Sequence, residues 1–267
     1  MSNGCPLWES YRLMMPGGLI GLDKCPGVRP VGVGETWRQM MAKCVFVVTG
    51  AEAKEACGTE QLCGGLEVGI EGGTHMVRLL WKYHAQEEDW GFLLIDTCNV
   101  FNEENRTAII WSVQHKWPSD ARFAFNWYRH LATLVMRGWD VTGRFIYSKE
   151  EVTQVDELAM VAYRLGILPL IQYLRTAHPS VTHLCYTDDA GVGGTFRVIL
   201  RHLEDLMVRG TLQGYFPKPT KFVSPWNIPQ AKAFFCGYSL QIVTGGRCFG
   251  GIVRKKATRD SWLGEKV

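Results

Sequence analysis

From Thr74 to Glu87, apolar Met76, Leu79, Leu80 and Tyr83 recur at helical spacing with lysine and arginine between them, which predicts an amphipathic helix ended by the EEDWG segment. GFLLID, residues 91–96, is a short continuous apolar run with a polar break after it, the pattern of a central strand buried on both faces. Helices are predicted over Glu103–Val113, over Ala121–Met136 and from Asp156 to about Leu174, with VTGRFIYS (141–148) alternating like one arm of a hairpin. Val181–Thr187 reads as a strand running into Asp188-Asp189-Ala190-Gly191, a β-hairpin with two carboxylates at its tip. Thr195–Arg209 is a strongly amphipathic helix with Phe196, Ile199, Leu203 and Leu206 on one stripe, Thr195 as its N-cap and Gly210 as its stop.

Glycine and proline mark the remainder. The chain up to about Gly50 reads as short strands and turns before a helix beginning near Glu35. GGLEVGIEGG, residues 64–73, has no following G-K-[ST] and is expected to be a flexible turn rather than a phosphate cradle. LQIVT (240–244) and RCFGGIV (247–253) read as two short strands flanking Gly245-Gly246. Strands alternate with helices but two hairpins intervene, which argues for an α+β fold: an antiparallel sheet with helices packed on one face.

Composition narrows the class. A chain of 267 residues with 46% hydrophobic and 21% charged residues has enough apolar surface to fold. Its longest apolar stretch, around Leu158–Ile171, is broken by Arg164 and Pro169, short of the ~20 residues of a membrane helix. The start, MSNGCPLWESYR, lacks the basic and apolar regions of a signal peptide, so a soluble, intracellular protein with no membrane partner is expected. Nine cysteines without a C-x-x-C pair read as reduced, mostly buried thiols. With 29 basic against 26 acidic residues, any site for a polyanion must be a local patch.

The candidate chemistry lies in three aspartates. Asp96 ends a buried strand, and Asp188 and Asp189 stand at a hairpin tip. Successive strand residues point to opposite faces, so one of the pair should meet Asp96 if the strands are neighbours. Carboxylates converging there would suit hard divalent cations, and two Mg²⁺ ions ~3.5–4 Å apart could serve both the attacking and leaving oxygens of a phosphoryl transfer. An Asp-Asp before Ala-Gly is also an ordinary solvated turn, so the surrounding motifs decide between the two.

Those motifs stand in order. LLIDTCNVFNEENR (93–106) resembles motif A of reverse transcriptases, SKEEVTQVDELAM (148–160) a worn motif B, YTDD (186–189) motif C and PTK (219–221) motif D. KCPGVRPVGVGETWR (24–38) resembles the fingers segment of non-LTR retrotransposon polymerases, and LQIVTGGRCFGG (240–251) their primer grip. The resemblance to the reverse transcriptases of non-LTR, LINE-like elements runs from about Gly18 to Val253, and Tyr186-Thr187 before the aspartates fits them better than the Gly-Asp-Asp of RNA-templated RNA polymerases.

The resemblance implies a polymerase right hand: a fingers segment over 1–90, a palm over 91–253 with a fingers insertion around 103–147, and a basic tail over 254–267 that would begin a largely missing thumb. It implies an RNA-directed DNA polymerase that adds deoxynucleotides to a primer 3′-hydroxyl on an RNA template. By it Asp96, Asp188 and Asp189 would be catalytic, Asp96 and Asp188 holding two Mg²⁺ ions, with Mn²⁺ as a substitute. Lys24 and Arg29 would meet the nucleotide triphosphate, Phe101 would be the steric gate against a ribose 2′-hydroxyl, and Gln154 would border the nucleotide. Lys221 would donate a proton to pyrophosphate, and Gly245, Gly246, Arg247, Cys248 and Phe249 would form the primer grip.

Motif B departs from the family. Glu151, Val155 and Glu157 stand where Gly, Gly and Pro are expected, adding bulk and negative charge where backbone should approach a polyanionic substrate. Val100 stands beside the gate where alanine is usual. Weak or absent polymerisation is therefore expected, as in a degenerate, truncated copy. The alternative is a non-catalytic nucleic-acid-binding remnant using Lys24, Arg29, Arg78, Lys221 and the basic tail. A nucleotide cyclase, which also sets carboxylates on a palm-like sheet, is disfavoured by the fingers and primer-grip segments.

Overall fold

The computed structural model describes residues 16–23, 27–97, 103–138, 141–148, 157–223, 228–249 and 251–253. In chain order its first half contains β1 (Gly17–Asp23), β2 (Val28–Gly34), α1 (Thr36–Cys57), α2 (Leu62–Gly65), α3 (Gly69–Tyr83), β3 (Trp90–Thr97), α4 (Arg106–Lys116), α5 (Pro118–Tyr128), β4 (Ala132–Gly138) and β5 (Val141–Ser148). Then follow α6 (Glu157–Ala177), β6 (Thr182–Tyr186), β7 (Asp189–Thr195), α7 (Phe196–Thr211), β8 (Pro217–Val223), α8 (Ile228–Phe234), β9 (Gln241–Val243), β10 (Gly246–Cys248) and β11 (Gly251–Val253). They form two compact units that interleave along the chain, one from residues 1–57 and 99–169, the other from 58–98 and 170–267.

The first unit is built on a four-stranded sheet in the order β2-β1-β4-β5, with β1 antiparallel to β2 but parallel to β4. The segment predicted as a helix over Ala121–Met136 divides here. Pro118 occupies the first turn of α5, which stops at Tyr128, and Ala132–Gly138 is a strand with β1 on one side and β5 on the other. Sheet partners on both edges outweigh the helical preference of a short apolar run. The predicted helix over Glu103–Val113 begins later, because Asn105 caps α4 by accepting a hydrogen bond from the Ala108 amide at 3.0 Å. Arg106 ties that start down, donating to the His130 carbonyl at 2.7 Å and to Ser148 Oγ at 3.3 Å. At the other end of α4, buried Trp117 donates its indole N–H to the Thr49 carbonyl at 2.9 Å.

The second unit carries a five-stranded sheet in the order β6-β7-β3-β8-β9. β3 lies at its centre, antiparallel to β7 and to β8, as its continuous apolar run predicts. The sheet is mixed rather than purely antiparallel, since β9 joins β8 in parallel. The stripe predicted for α7 is buried at all four positions, and Phe196 packs with Phe222 and Phe235 at ring separations of 5.3 and 5.8 Å. Thr195 stands at the N-cap of α7 but makes no side-chain capping bond.

Two readings of the glycine-rich segments change. The segment 64–73 is not a flexible turn: α3 begins at Gly69, where a Cβ would lie 2.1 Å from the Leu62 carbonyl oxygen, so glycine is required by close backbone approach. Residues 247–253 are not one strand but two, β10 and β11, folded about Phe249. The described thiols also differ from expectation. All are free, but only Cys57 and Cys185 are buried, with Cys44 and Cys236 exposed. Among the described residues no helix is long and apolar enough to cross a membrane.

Three histidines meet behind the sheet of the second unit. The His202 ring lies 4.9 Å from that of His183 and 5.3 Å from that of His178, and both His202 ring nitrogens are buried without a hydrogen-bond partner. Burial, reinforced by His178, lowers His202 from its usual 6.5 to about 4, and burial likewise lowers His183 well below 6.5. The unfolded chain therefore takes up protons between about 6.5 and 4 that the native state refuses, so stability falls as pH falls through that window. The expected slope is at most about 1.4 kcal/mol per pH unit for each histidine. Denaturant unfolding at pH 7 and pH 5 measures it, and His202→Leu should flatten the dependence. Equal stability at both pH values would show that the rings are not desolvated.

Candidate functional site

Asp96 is the one exposed residue of β3, at the end of an otherwise covered strand. Its neighbour Ile95 pairs with Ala190 on β7, and Asp96 itself pairs with Lys218 on β8. Asp96 Oδ1 accepts a hydrogen bond from the Thr97 amide at 2.9 Å. On the neighbouring hairpin Tyr186 pairs with Asp189, which leaves Thr187 and Asp188 as a two-residue turn. Asp188 thus lies at the tip, half-buried, while Asp189 is exposed and already the first residue of the returning strand.

Side chains from two segments bind this turn, and a third braces one of them. Thr97 Oγ1 donates to the Asp188 carbonyl at 3.0 Å. Gln61, fully buried, donates through Nε2 to the Thr187 carbonyl at 3.1 Å and accepts the Thr187 amide on Oε1 at 2.8 Å. Buried Tyr215 hydrogen-bonds Thr97. Its hydroxyl is pushed well above the usual tyrosine range, first by burial, then by Cys185 and by the charges of Asp188 and Asp96. The pairing of Ile95 with Ala190 and the Thr97–Asp188 hydrogen bond set Asp96, at the exit of β3, beside the turn that carries Asp188.

Lys221 lies on the same sheet, its backbone opposite Leu94 on β3 and Gln241 on β9. The register shifts between Leu94 and Ile95, and Thr220 Oγ1 fills the irregularity by donating to the Leu94 carbonyl at 3.4 Å. Gly245 precedes β10, which contains Gly246, Arg247 and Cys248. Phe249 adopts φ +46°, its carbonyl accepts from Thr74 Oγ1 at 3.3 Å, and its ring is buried in a core with Leu62, Val77, Trp90, Phe92 and Leu184. Arg29 belongs to the other unit, in β2 opposite Leu22. Lys24, Phe101 and Gln154 lie outside the described residues, as do the side chains of Arg29, Arg247 and Cys248.

The second unit therefore brings Asp96, Asp188, Asp189 and Lys221 onto one sheet. Among the described residues no group of three or more His, Cys, Asp or Glu side chains is arranged to hold a metal. The candidate donors are the carboxylate pair Asp96 and Asp188. Oxygen ligands few in number fit Mg²⁺, which keeps several waters and completes its shell with phosphate oxygens.

No protein-family model matches the sequence, and no curated protein matches it. Solved structures do. Apo telomerase from Candida tropicalis, truncated from its C-terminal domain, superposes with a TM-score of 0.58 at 12% identity over 77% of this chain and 49% of that one. The fold is shared with telomerase. Telomerase from Candida albicans in complex with the TWJ fragment of telomeric RNA gives 0.56 at 9% identity, over 77% of this chain and 42% of that one. The chain spans about half the length or less of these telomerase chains, and at such low identity the likeness is one of fold.

Motif reading missed Gln61, Thr97, Tyr215 and Lys218. Thr97 lies within the motif A segment and Lys218 directly before motif D, and only strand register assigns them a place; Gln61 and Tyr215 lie in segments with no periodic signal. Thr97→Val keeps the side chain's shape but leaves the Asp188 carbonyl and the Tyr215 hydroxyl without their partner. It is expected to lower unfolding free energy by about 1–3 kcal/mol, with Thr97→Ser close to wild type, in denaturant titration.

Proposed function

We propose that this chain is a reverse-transcriptase-like polymerase domain of the non-LTR retrotransposon type, which joins deoxynucleotides to a primer 3′-hydroxyl on an RNA template. The observation that carries the reading is the delivery of Asp96 and Asp188, distant in sequence, to one end of adjacent strands in a fold shared with telomerase. Telomerase is itself a protein described in complex with RNA, which supports a nucleic-acid partner for this fold.

In this reading the Asp96 and Asp188 carboxylates hold two Mg²⁺ ions, or Mn²⁺ in their place, and Asp189 adds negative charge beside them. Ions bound there would stabilise the attacking primer oxygen and the departing pyrophosphate. Lys218, opposite Asp96, tempers the concentration of negative charge, and Lys221 is the proton donor to pyrophosphate through Nζ. Phe101 excludes the ribose 2′-hydroxyl and Gln154 borders the incoming nucleotide. Lys24 and Arg29 bind its triphosphate through charge-assisted hydrogen bonds, while residues 245–249 seat the primer.

Primer extension on an RNA template with Mg²⁺ and deoxynucleotides tests this. Slow incorporation is expected, and Asp188→Asn should abolish it while RNA binding persists. Salt-dependent RNA binding with no incorporation by the wild-type chain would instead establish the non-catalytic binding remnant. Because Val155 and Glu157 replace glycine and proline in motif B, the double variant Val155→Gly, Glu157→Pro should extend faster than wild type. An unchanged rate would clear motif B of blame.

A further inference from the structure

The turn that carries Asp188 adopts a conformation its own sequence disfavours. Thr187 is β-branched yet adopts φ +57°, a left-handed backbone that favours glycine or asparagine. Such a conformation persists only where the surroundings over-determine it. Here they do so with side chains. The carbonyl and amide of Thr187 are both engaged by the single amide group of Gln61, and the next carbonyl, that of Asp188, is held by Thr97.

Gln61 is itself fixed. Its own carbonyl accepts the Gly64 and Gly65 amides, both at 3.0 Å, which closes the turn of α2. One residue earlier Glu60 pairs with Arg175 at 3.0 Å, and Arg175 also donates to the Thr59 and His183 carbonyls, both at 3.3 Å. The loop before α2 is thus bound to β6 of the same hairpin whose turn Gln61 grips. The chemistry of the residue matters as well. A glutamine offers one donor and one acceptor at the spacing of a peptide group, without charge. A glutamate would set a second carboxylate against the Thr187 carbonyl and behind Asp188.

We propose that Gln61 is a positioning residue for Asp188: it holds the Thr187 backbone in its left-handed conformation and so fixes where the Asp188 carboxylate points relative to Asp96. The proposal rests on the reading of Asp96 and Asp188 as a metal-binding pair. Gln61 touches neither nucleotide nor metal in this scheme and acts only through the turn.

Two measurements on the full chain separate this role from general stability. In metal-free protein, Gln61→Met should speed hydrogen exchange of the Thr187 amide by about tenfold or more, as loss of two hydrogen bonds implies, while amides in the middle of β7 stay protected. In Mn²⁺ titrations followed by electron paramagnetic resonance, the same variant should weaken the binding that Asp188→Asn removes, by a similar factor. Gln61→Asn, one methylene shorter, is the second variant and should act in the same direction if Gln61→Met folds poorly. Thr187→Gly tolerates the left-handed backbone unaided, so Gln61→Met should weaken Mn²⁺ binding much less in that background.

Unchanged Thr187 exchange in folded Gln61→Met would overturn the clamp. Faster exchange with unaltered Mn²⁺ affinity would overturn its role in positioning Asp188 while leaving the metal pair standing. Wild-type protein with no Asp188-dependent Mn²⁺ binding would sink the metal-pair reading and this proposal with it, an outcome distinct from the other two because it appears without any change at Gln61.

Discussion

The register of β3 against β7 is the constraint on which the site depends. Leu93 opposite Val192 and Ile95 opposite Ala190 place the end of β3 beside the hairpin turn. Side chains alternate along a strand, so a slip by one residue would exchange the faces on which the β3 side chains pack and move Asp96 away from the turn. The register is keyed by shape. Gly191 lies where a Cβ would come within 2.4 Å of the Phe92 ring, so the aromatic fits only against glycine at that position of β7. With β8 pairing Phe92–Thr97 on the other side, β3 presents a single exposed side chain, Asp96, near its exit.

The polar groups around that exit follow from burial. Thr97, Tyr215 and Gln61 are buried, and each finds its partner in the turn or in one another. His202 on α7 is the opposite case: its ring packs against those of His178 and His183, but both its nitrogens are buried without hydrogen bonds, which favours the neutral ring. One unit therefore contains a satisfied polar network toward its carboxylates and an unsatisfied ring on α7.

Much of this was legible from residue order because the relevant signals are local. The apolar run of β3, the carboxylate-tipped hairpin and the stripe of α7 each follow from periodicity within one element. Ala132–Gly138 was not, because its strand character comes from β1, more than a hundred residues earlier in the chain, and from β5. The parallel edge between β8 and β9 is likewise a product of topology that neither short segment announces. Around the site, motif order pointed to the aspartates and to Lys221. It could not find Gln61, whose importance lies in a backbone contact with Thr187 that only the folded chain creates.

The glycine facing Phe92 and the exposed carboxylate at the strand's exit answer to different selective pressures. Any side chain at Gly191 must displace an aromatic ring in the core, whereas an altered Asp96 leaves the apolar packing of β3 in place. Architecture and reactivity can therefore be lost independently. A lineage accumulating changes at its surface aspartates would keep a folded sheet long after those carboxylates were gone, and such a scaffold would remain open to reuse.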